Sequence, residues 1–444
     1  MELKGKKVLV IGLARTGSEC ARFLARQGAS VLLSDLRRQE ELEPAMAALA
    51  GWPIEYRLGG EDQSWLAGVD FVIPSPGVAK ENPLLREALA RRIPVLSEIE
   101  LAYRFFRKPL IAITGTNGKS TTTTLVGDIF KASGQKVFLG GNLGAPFIGS
   151  LSEEWDWGIV EISSFQLEWI VKFRPRIAVL LNITEDHLDR YATFADYCRA
   201  KERIFEAQSR DDFAILNRDD PLVWEMRERV NGRAVSFGAS EVSDGVFSTP
   251  GEIVWRVGSE DERFSLRRVK LQGVHNLENM MAAVAAAKCA GISRSVIQET
   301  LERFPGLEHR LEFVREKNGV HYFNDSKGTN VGAVVKSLAS FSAPVILLAG
   351  GVDKGGDYAP LKEGIEQKVR RLVLFGEAKD IIARALGQLT ETVIVNDIRE
   401  ALRDAATHAR AGDVVLLSPA CSSFDQFRNY AERGKIFKSL VQDL

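Results

Sequence analysis

A glycine-rich stretch with one lysine contains the residue types best suited to chemistry in this sequence. Gly115-Thr116-Asn117-Gly118-Lys119-Ser120 follows the apolar residues 110–114 and leads into a helix-like segment from Thr121 onward. A strand, a glycine turn and a helix N-terminus present free backbone N–H groups and a lysine to one anion, which is how nucleoside triphosphates are bound. The widespread motif has a glycine where this chain has Ile113, so the match is partial. An ordinary turn is the alternative, and the pattern favours a phosphate-binding loop.

Two further polar residues, Glu161 and His187, occur where we expect strands to end. Glu161 interrupts the apolar run 158–162, and a charge in a central strand is costly unless it is paired. We therefore predict that Glu161 faces a cation, the alternative being an ion pair with an arginine. His187 lies in the segment 185–189 after the predicted strand 177–182, at the edge where open sheets bind ligands. The pattern fits a metal ligand and an ordinary loop histidine equally well.

Lys201 falls in the apolar stripe of a helix predicted from about Thr193 to Gln208. The other residues of that stripe are Phe194, Tyr197, Ile204 and Phe205. Burial favours the neutral amine of a lysine, and a neutral amine can react with carbon dioxide to form a carbamate, which is an anionic metal ligand. The alternative is a lysine at the edge of the stripe whose ammonium reaches water, and the pattern alone favours that alternative.

The elements that position these residues begin with a Rossmann-like opening. Two predicted strands, 7–12 and 30–34, flank a predicted helix from Ser18 to Gln27, and an acid follows the second strand. Ala14 replaces the middle glycine of the dinucleotide fingerprint, which disfavours a dehydrogenase. A nucleotide part of some ligand could still bind here, and a fold without a ligand at these loops stays equally open. The loop residues concerned are Arg15, Thr16, Asp35 and Ser75-Pro76-Gly77.

Strand-like and helix-like segments alternate along the chain, which indicates an α/β protein with mostly parallel sheets. A chain of 444 residues is too long for one ordinary core, and ~150 residues per domain suggests about three domains. We predict a Rossmann-like N-terminal domain at 1–97, a central P-loop mononucleotide-binding domain at 98–303 and a Rossmann-like C-terminal domain at 304–444. Polar residues follow the strands of the third domain, where lysines and helix N-termini suit a dicarboxylate. Solvated loops are the alternative.

Composition excludes several classes of protein. Lys plus Arg number 58 against 59 for Asp plus Glu, which gives no electrostatic reason to expect nucleic acid as a partner. The cysteines are widely spaced and form neither a zinc motif nor a disulfide pattern. No apolar run approaches the ~18 residues of a membrane span, and the N-terminus has no apolar signal region. We therefore expect a cytoplasmic protein without a membrane span.

Several motifs occur in order along the chain. They are Thr114-Gly115-Thr116-Asn117-Gly118-Lys119-Ser120, Glu161-Ile162-Ser163-Ser164-Phe165-Gln166-Leu167-Glu168, Asn182 with Asp186-His187-Leu188-Asp189, His275-Asn276, and Asp325-Ser326-Lys327-Gly328-Thr329-Asn330. Together they resemble the Mur ligase family of bacterial peptidoglycan synthesis, whose shorter phosphate loop also explains Ile113. The Ser-Ser-Phe-Gln-Leu-Glu run and the Asp-Ser-Lys motif favour the members that add D-glutamate.

This resemblance implies an ATP-dependent ligase. ATP would phosphorylate the terminal carboxylate of UDP-N-acetylmuramoyl-L-alanine to an acyl phosphate, and the amine of D-glutamate would attack it to give an amide, ADP and phosphate. Two magnesium ions and a carbamylated Lys201 are implied as well. The protein would be a monomer whose third domain closes on the second, which would position the groups and exclude water.

The resemblance also assigns residues to each ligand. For ATP they are Gly115, Thr116, Asn117, Gly118, Lys119, Ser120 and Thr121, with Asn276, Arg310 and Asp325 at the adenine and ribose. For the metal ions they are Ser120, Glu161, His187 and Lys201, of which the last three and Lys119 would be catalytic. For the UDP-sugar they are Arg15, Thr16, Asp35, Gly77 and Asn142, and for D-glutamate Lys327, Thr329, Lys354, Ser423 and Tyr430.

Other interpretations remain at this stage. A nucleotide-binding switch or motor would use the phosphate loop alone. Within ligases, the alternatives are members that add L-alanine or a diamino acid, or a folate polyglutamate synthetase. The choice between a D and an L acceptor does not follow from the residues themselves, because it depends on where the carboxylate anchors lie around the amine.

Overall fold

The computed structural model describes residues 1–188, 190–271 and 273–444. Within these ranges the strands form three separate sheets in an α/β arrangement, and the sheets follow one another along the chain. Asp189, which belongs to one of the predicted motifs, and Gln272 lie outside the described residues. The mostly parallel α/β architecture expected from the sequence is confirmed.

The first sheet is parallel, and its described strands have the order β3-β2-β1-β4. The strands are β1 (Lys7–Ile11), β2 (Ser30–Asp35), β3 (Ile54–Leu58) and β4 (Phe71–Pro74), and the helices are α1 (Arg15–Arg26), α2 (Gln39–Ala47) and α3 (Pro83–Ala90). Helix α1 begins three residues before the predicted start at Ser18, since Ala14 already has the extended conformation of a cap residue. Asp35 closes β2 at the carboxyl edge.

A short helix, α4 (Glu98–Tyr103), joins the first sheet to the second. Its buried Glu100 accepts hydrogen bonds from the backbone N–H groups of Val171, Lys172 and Phe173 at 2.8–2.9 Å. Glu98 is 1% exposed and accepts from the N–H of Ile148. The linker is therefore fastened to the middle part of the chain by two buried acids.

The second sheet, in the described residues, has the order β13-β12-β11-β10-β9-β8-β5-β7-β6, with antiparallel pairing only between β11, β12 and β13. Its strands are β5 (Leu110–Thr114), β6 (Val137–Gly141), β7 (Trp157–Glu161), β8 (Ile177–Leu180), β9 (Phe213–Asn217), β10 (Arg233–Gly238), β11 (Gly245–Thr249), β12 (Glu252–Val257) and β13 (Glu260–Ser265). Its helices are α5 (Lys119–Ala132), α6 (Ser164–Leu167), α7 (Phe194–Glu202), α8 (Pro221–Glu225), α9 (Val274–Cys289) and α10 (Arg294–Arg303).

Both faces of this sheet are buried. Along β5, Leu110 and Ala112 belong to one core cluster, and Ile111 and Ile113 belong to the other, as the period of two along a strand requires. Helix α7 ends at Glu202, earlier than the predicted Gln208, because the chain turns into a short 3₁₀ segment at Arg203–Phe205.

The third sheet has the order β14-β15-β19-β16-β17-β18 in the described residues, and only β14 is antiparallel to its neighbour. Its strands are β14 (Glu312–Lys317), β15 (Val320–Asn324), β16 (Val345–Gly350), β17 (Val369–Phe375), β18 (Glu391–Ile394) and β19 (Val414–Ala420). Its helices are α11 (Val331–Ala339), α12 (Lys362–Lys368), α13 (Lys379–Leu386), α14 (Ile398–His408) and α15 (Tyr430–Asp443).

The loops at the carboxyl ends of the second and third sheets meet. Arg310 donates to the hydroxyl of Ser120 at 3.0 Å, and Asn330 donates to Asn117 at 3.3 Å and to Asp186 at 3.2 Å. Ligands bind at this edge in open α/β sheets. Among the described residues, no helix is both long and apolar enough to cross a lipid bilayer.

Candidate active site

The phosphate-binding loop joins the buried strand β5 to helix α5 and contains two glycines in strained positions. Gly118 has φ +86°, and a Cβ there would lie 2.2 Å from Oδ1 of Asn279. Gly115 has φ +152°, and a Cβ added there would lie 3.0 Å from the Cβ of Leu181. Both the backbone conformation and the close neighbours therefore require glycine.

Asn182, at the end of the strand next to β5, holds the loop in shape. Its Oδ1 accepts from the N–H of Asn117 at 2.8 Å, and its Nδ2 donates to the Asn117 carbonyl at 3.1 Å. The Thr116 N–H donates to the Asn182 carbonyl at 2.9 Å, and the Thr116 hydroxyl lies 3.0 Å from that of Tyr197. The loop is thus preorganised by groups of the protein itself.

Lys119 folds back over this loop. Its Nζ donates to the carbonyls of Gly115 and Thr116, each at 2.8 Å. Burial lowers the pKa of Lys119, although the charge of Glu161 acts in the opposite direction. An anion in the loop would stabilise the charged form of this amine and compete for its hydrogen bonds, as expected for a phosphate ligand.

Glu161 ends β7 and is 2% exposed. Its Oε1 accepts from Nδ2 of Asn142 at 2.6 Å, whereas no group of the described residues donates a hydrogen bond to its buried Oε2. A buried carboxylate oxygen without a donor calls for a cation, and the hydroxyl of Ser120 is a second oxygen on the loop. These donors fit Mg²⁺, which is commonly bound by one or two protein oxygens together with phosphate oxygens. The described residues contain no cluster of three or more His, Cys, Asp or Glu side chains that could hold a metal ion.

His187 lies in the loop after β8, with φ +56°. Its ring packs edge-on against the ring of Phe165, with 4.7 Å between the centroids. Its Nε2 lies 3.8 Å from the carboxylate of Asp186. Left-handed backbone at a residue other than glycine is stored strain that concentrates at functional sites. Burial alone would raise the pKa of Asp186, but the charges of Lys354, His187 and Lys119 outweigh it and lower that pKa.

Lys201 is 1% exposed, which corrects the sequence-based preference for a lysine at the edge of the apolar stripe. Its Nζ donates to the carbonyl of Gly115 at 2.8 Å and lies 4.7 Å from the ring centroid of Tyr197. Burial, with a contribution from the charge of Lys119, lowers the pKa of Lys201 well below its ordinary value. The amine of Lys201 therefore lies beside the phosphate loop with a lowered pKa. The carbamate hypothesis requires such an amine, because only the neutral form reacts with carbon dioxide.

A cleft between the second and third sheets, called here the interdomain cleft, gathers the residues expected at the nucleotide. Its lining includes Asn117, Gly118, Thr121, His275, Asn276, Asn279, Arg310, Asp325, Lys327 and Lys336. Asp325 accepts from the hydroxyls of Ser337 and Ser418 at 2.7 Å and from the N–H of Leu311 at 3.2 Å. Burial raises its pKa to about 6. Both of its oxygens are thus already engaged, and Asp325 shapes the cleft as well as facing it.

A second recess, called here the loop pocket, gathers residues expected at the amino acid. Its lining includes His187, Thr329, Lys354, Ser423 and Tyr430. Lys327 lies at its border with the interdomain cleft, since its Nζ is 3.7 Å from the ring centroid of Tyr430. Burial lowers the pKa of Lys327 to about 7. Two lysines beside hydroxyl groups suit a ligand with more than one carboxylate.

The residues expected at the UDP-sugar are only partly brought together. Asp35 and Gly77 line one cleft at the carboxyl edge of the first sheet, whereas Arg15 and Thr16 begin helix α1 and are absent from the lining described for that cleft. Asn142 lies at Glu161 instead. Asp35 accepts from the Leu13 N–H at 2.7 Å and from the guanidinium of Arg37 at 2.9 and 3.0 Å.

Comparison with known proteins agrees with this geometry. A ligase from Geotalea uraniireducens named UDP-N-acetylmuramoylalanine--D-glutamate ligase is 51% identical over 447 residues, covering 100% of this chain and 99% of that protein. A protein of the same name from Geobacter metallireducens is also 51% identical over 447 residues, with the same coverage. The chain belongs to the Mur ligase family.

The Mur ligase family models cover all three parts of the chain. They are the MurD-like N-terminal domain at residues 6–97, the Mur ligase middle domain at 113–287 and the glutamate ligase domain at 309–421. A structure of UDP-N-acetylmuramate-alanine ligase from Thermotoga maritima has the same fold, with a TM-score of 0.60 and 19% identity over 98% of this chain and 99% of that one. The glutamate ligase model ends before Ser423 and Tyr430, so those two positions rest on the geometry of the loop pocket.

Three residues that contact predicted site residues were given no role by the sequence analysis. Asn279 packs against Gly118 and accepts from the hydroxyl of Thr122 at 3.2 Å, Arg37 pairs with Asp35, and Tyr197 contacts Thr116. The available signals were weak. Asn279 lies one helical turn after Asn276, and Tyr197 lies one turn before Lys201.

Proposed function

We propose that the chain is the ATP-dependent ligase that joins D-glutamate to UDP-N-acetylmuramoyl-L-alanine in the synthesis of peptidoglycan precursors. The observation that carries the proposal is the meeting of the interdomain cleft, which the phosphate loop lines, with the loop pocket at Lys327 and Tyr430. There, a site for a nucleotide and a site for a dicarboxylate share the border residue Lys327. Names and identity of the full-length relatives support the same reaction. Because ATP and a UDP-linked sugar are cytoplasmic metabolites, we also propose that the chain acts in the cytoplasm.

The chemistry requires activation of a carboxylate followed by attack of an amine. The terminal oxygen of UDP-N-acetylmuramoyl-L-alanine attacks the γ-phosphorus of ATP, the bond to ADP breaks, and an acyl phosphate forms. The amine of D-glutamate then adds to the acyl carbon, phosphate leaves from the tetrahedral intermediate with its electron pair, and the amine loses a proton. The products are an amide, ADP and phosphate.

The phosphate loop would bind and orient the nucleotide. Lys119 turns from the carbonyls of Gly115 and Thr116 to the β- and γ-phosphates, and the N–H groups at the start of α5 face the same anion. Asn276 and Arg310 border the cleft on either side, so we assign them to the adenosine part. The fastened loop does not reorganise when charge moves during transfer, which is the condition for electrostatic stabilisation.

We assign the metal ions to the residues that the family resemblance implies, and the contacts of Glu161 support the first of the two sites. Ser120 and Glu161 would hold one magnesium ion, and His187 with a carbamylated Lys201 would hold a second. Magnesium, when bound, neutralises charge on the phosphoryl group and on the approaching carboxylate. The carbamate forms when the neutral amine of Lys201 adds to carbon dioxide and releases one proton.

The loop pocket would select the amino acid. Lys354 supplies positive charge, and a bound carboxylate would favour the charged form of the Lys327 amine. Hydroxyl groups come from Thr329, Ser423 and Tyr430. A dicarboxylate held at both ends leaves its amine directed toward the edge occupied by His187. Alanine lacks the second carboxylate, so we expect it to bind weakly.

The deciding experiment measures phosphate released from ATP in the presence of UDP-N-acetylmuramoyl-L-alanine. D-glutamate, L-glutamate and L-alanine serve as acceptors, and the product is identified by mass. We expect phosphate release and an amide product only with D-glutamate. ATP turnover without any amino acid, or product with L-alanine, would overturn the proposal.

A further inference from the structure

Arg190 connects the loop after β8, which contains His187, to the turn after β4, which contains Gly77. It lies three residues after His187, and its side chain is 9% exposed. Its Nη1 donates to the carbonyls of Pro76 at 3.3 Å and Val78 at 3.0 Å. These two carbonyls flank Gly77, which together with Asp35 lines the cleft of the first sheet. The guanidinium of Arg190 therefore binds the turn on both sides of Gly77, a residue that we expect at the UDP-sugar.

The other side of this guanidinium is fixed by the middle part of the chain. Its Nη2 donates to Oε2 of Glu168 at 2.8 Å, and the carboxylate of Glu168 is 1% exposed. The guanidinium carbon lies 4.1 Å from the ring centroid of Phe165, the same ring that packs against His187. Lys80, which follows the turn, lies 3.5 Å from Glu168. Buried charge pairs of this kind tolerate little displacement, because each group loses its partner when the other moves.

We propose that Arg190 is a positioning residue that sets the first-sheet turn 76–78 relative to the loop of His187. That loop is fixed to the phosphate loop, because the N–H of Thr184 donates to the hydroxyl of Thr116 at 3.0 Å. The proposal rests on the proposed function, in which the carboxylate delivered by the first part of the chain must meet the γ-phosphate held by the second. Arg190 touches neither reactant. It acts by fixing the distance between the elements that hold them, and a displacement of about 1 Å can cost about 100-fold in rate.

Arg203, at the end of helix α7, provides a control that contacts the same stretch of chain around Glu168. Its guanidinium donates to the carbonyls of Leu167, Glu168 and Ile170 at 2.5–3.1 Å. These carbonyls all belong to the second part of the chain. Substitution of Arg203 should therefore disturb the same neighbourhood without releasing the turn at Gly77.

The test compares Arg190→Lys, Glu168→Gln and Arg203→Lys with the unaltered protein. A lysine at 190 keeps the charge and loses the fork that reaches two carbonyls and a carboxylate. We expect kcat/KM for UDP-N-acetylmuramoyl-L-alanine to fall about 10- to 100-fold in Arg190→Lys and Glu168→Gln. The KM for ATP and for D-glutamate should stay within about twofold, and Arg203→Lys should keep all three values within about threefold.

Three results would overturn the inference. One is an unchanged kcat/KM for the UDP-sugar in Arg190→Lys. Another is an equal loss of affinity for ATP and the UDP-sugar, measured by calorimetry on the same variant, since that pattern marks general damage to the fold. The third is an equal loss in Arg203→Lys. Product formation by the unaltered protein tests the proposed function separately, so failure of one does not imply failure of the other.

Discussion

At the scale of single residues, burial decides what each ionisable group can do. The amine of Lys201 and the carboxylate of Glu161 are both almost fully buried. The pKa of Lys201 is lowered, and Oε2 of Glu161 receives no hydrogen bond from the described residues. From sequence, Glu161 could be predicted because a charge stood inside an apolar strand. Lys201 could not be decided, because a helical stripe fixes the face of a residue and not its depth.

Lys201 gives the first prediction. Lys201→Ala removes the group that would become the anionic ligand. Loss of a residue that only hydrogen-bonds to a metal ligand costs about 10- to 100-fold in activity, and we expect a larger loss here. Added short carboxylic acids should partly restore turnover, which is measured by phosphate release. Arg199→Ala, an exposed residue of the same helix, is the control. Unchanged turnover in Lys201→Ala would remove Lys201 from the site.

Glu98 gives a prediction about pH. Burial raises its pKa from the ordinary 4.5 to about 7, so its stabilising contribution is full below about pH 4.5 and is lost as the pH rises through 7. The free energy of unfolding of Glu98→Gln, taken relative to that of the unaltered protein, should therefore be about 2 to 3 kcal/mol higher at pH 8 than at pH 5.

Unfolding curves at pH 5 and pH 8 measure this difference. Glu100→Gln is the matched comparison on the same helix, and it should be destabilising at both values because Glu100 serves three N–H groups. A difference for Glu98→Gln that does not change with pH would contradict the assignment.

At the scale of elements, strand ends and glycine turns carry the site. Apolar runs identified the central strands β5, β7 and β8, and Gly-Lys-Ser identified the loop, because these signals are local. The bounds of α1 and α7 were wrong by several residues, since caps and a 3₁₀ turn depend on neighbours that the local pattern does not contain. Asn279 was missed for the same reason, because its role exists only where α9 packs on the loop.

Gly118→Ala tests the loop as an element. The new Cβ would lie 2.2 Å from Asn279 in a backbone with φ +86°, so we expect the affinity for ATP to fall more than about tenfold, the equivalent of 1.4 kcal/mol. Gly134→Ala is a closely matched control, because Gly134 has φ +86° as well and a Cβ there meets nothing within 4 Å. The control should lose only about 1 kcal/mol of stability. Nucleotide calorimetry and thermal unfolding distinguish the two, and equal ATP affinities would contradict the prediction.

At the scale of the whole molecule, the interdomain cleft lies between the second and third sheets, and the first sheet has a cleft of its own. Periodicity and length predicted three α/β units, and the family motifs predicted which loops meet. The contacts between them did not follow from the sequence: Arg310 with Ser120, Lys354 with Asp186 and Arg190 with the turn at Gly77 join residues far apart in the chain. Such pairs become neighbours only through the packing of whole units.

Closure of the third part on the second is the corresponding prediction. The contacts of Arg310 and Lys354 hold the two parts together across a cleft that ligands must enter. We expect X-ray scattering to give a smaller radius of gyration with a nonhydrolysable ATP analogue and UDP-N-acetylmuramoyl-L-alanine than without them. Identical profiles in the two states, with a third sample containing ADP alone as the control, would count against closure.

The carbonyl of Gly115 accepts from both Lys119 and Lys201, and under the carbamate hypothesis this sharing predicts an order of events. While Lys119 remains a cation at that oxygen, it helps to keep Lys201 neutral and reactive toward carbon dioxide. Once phosphates arrive, their negative charge favours a proton on Lys201 instead. If carbamylated Lys201 is a metal ligand, we therefore expect a lag in phosphate release when the nucleotide is added first, and no lag when bicarbonate is added before it.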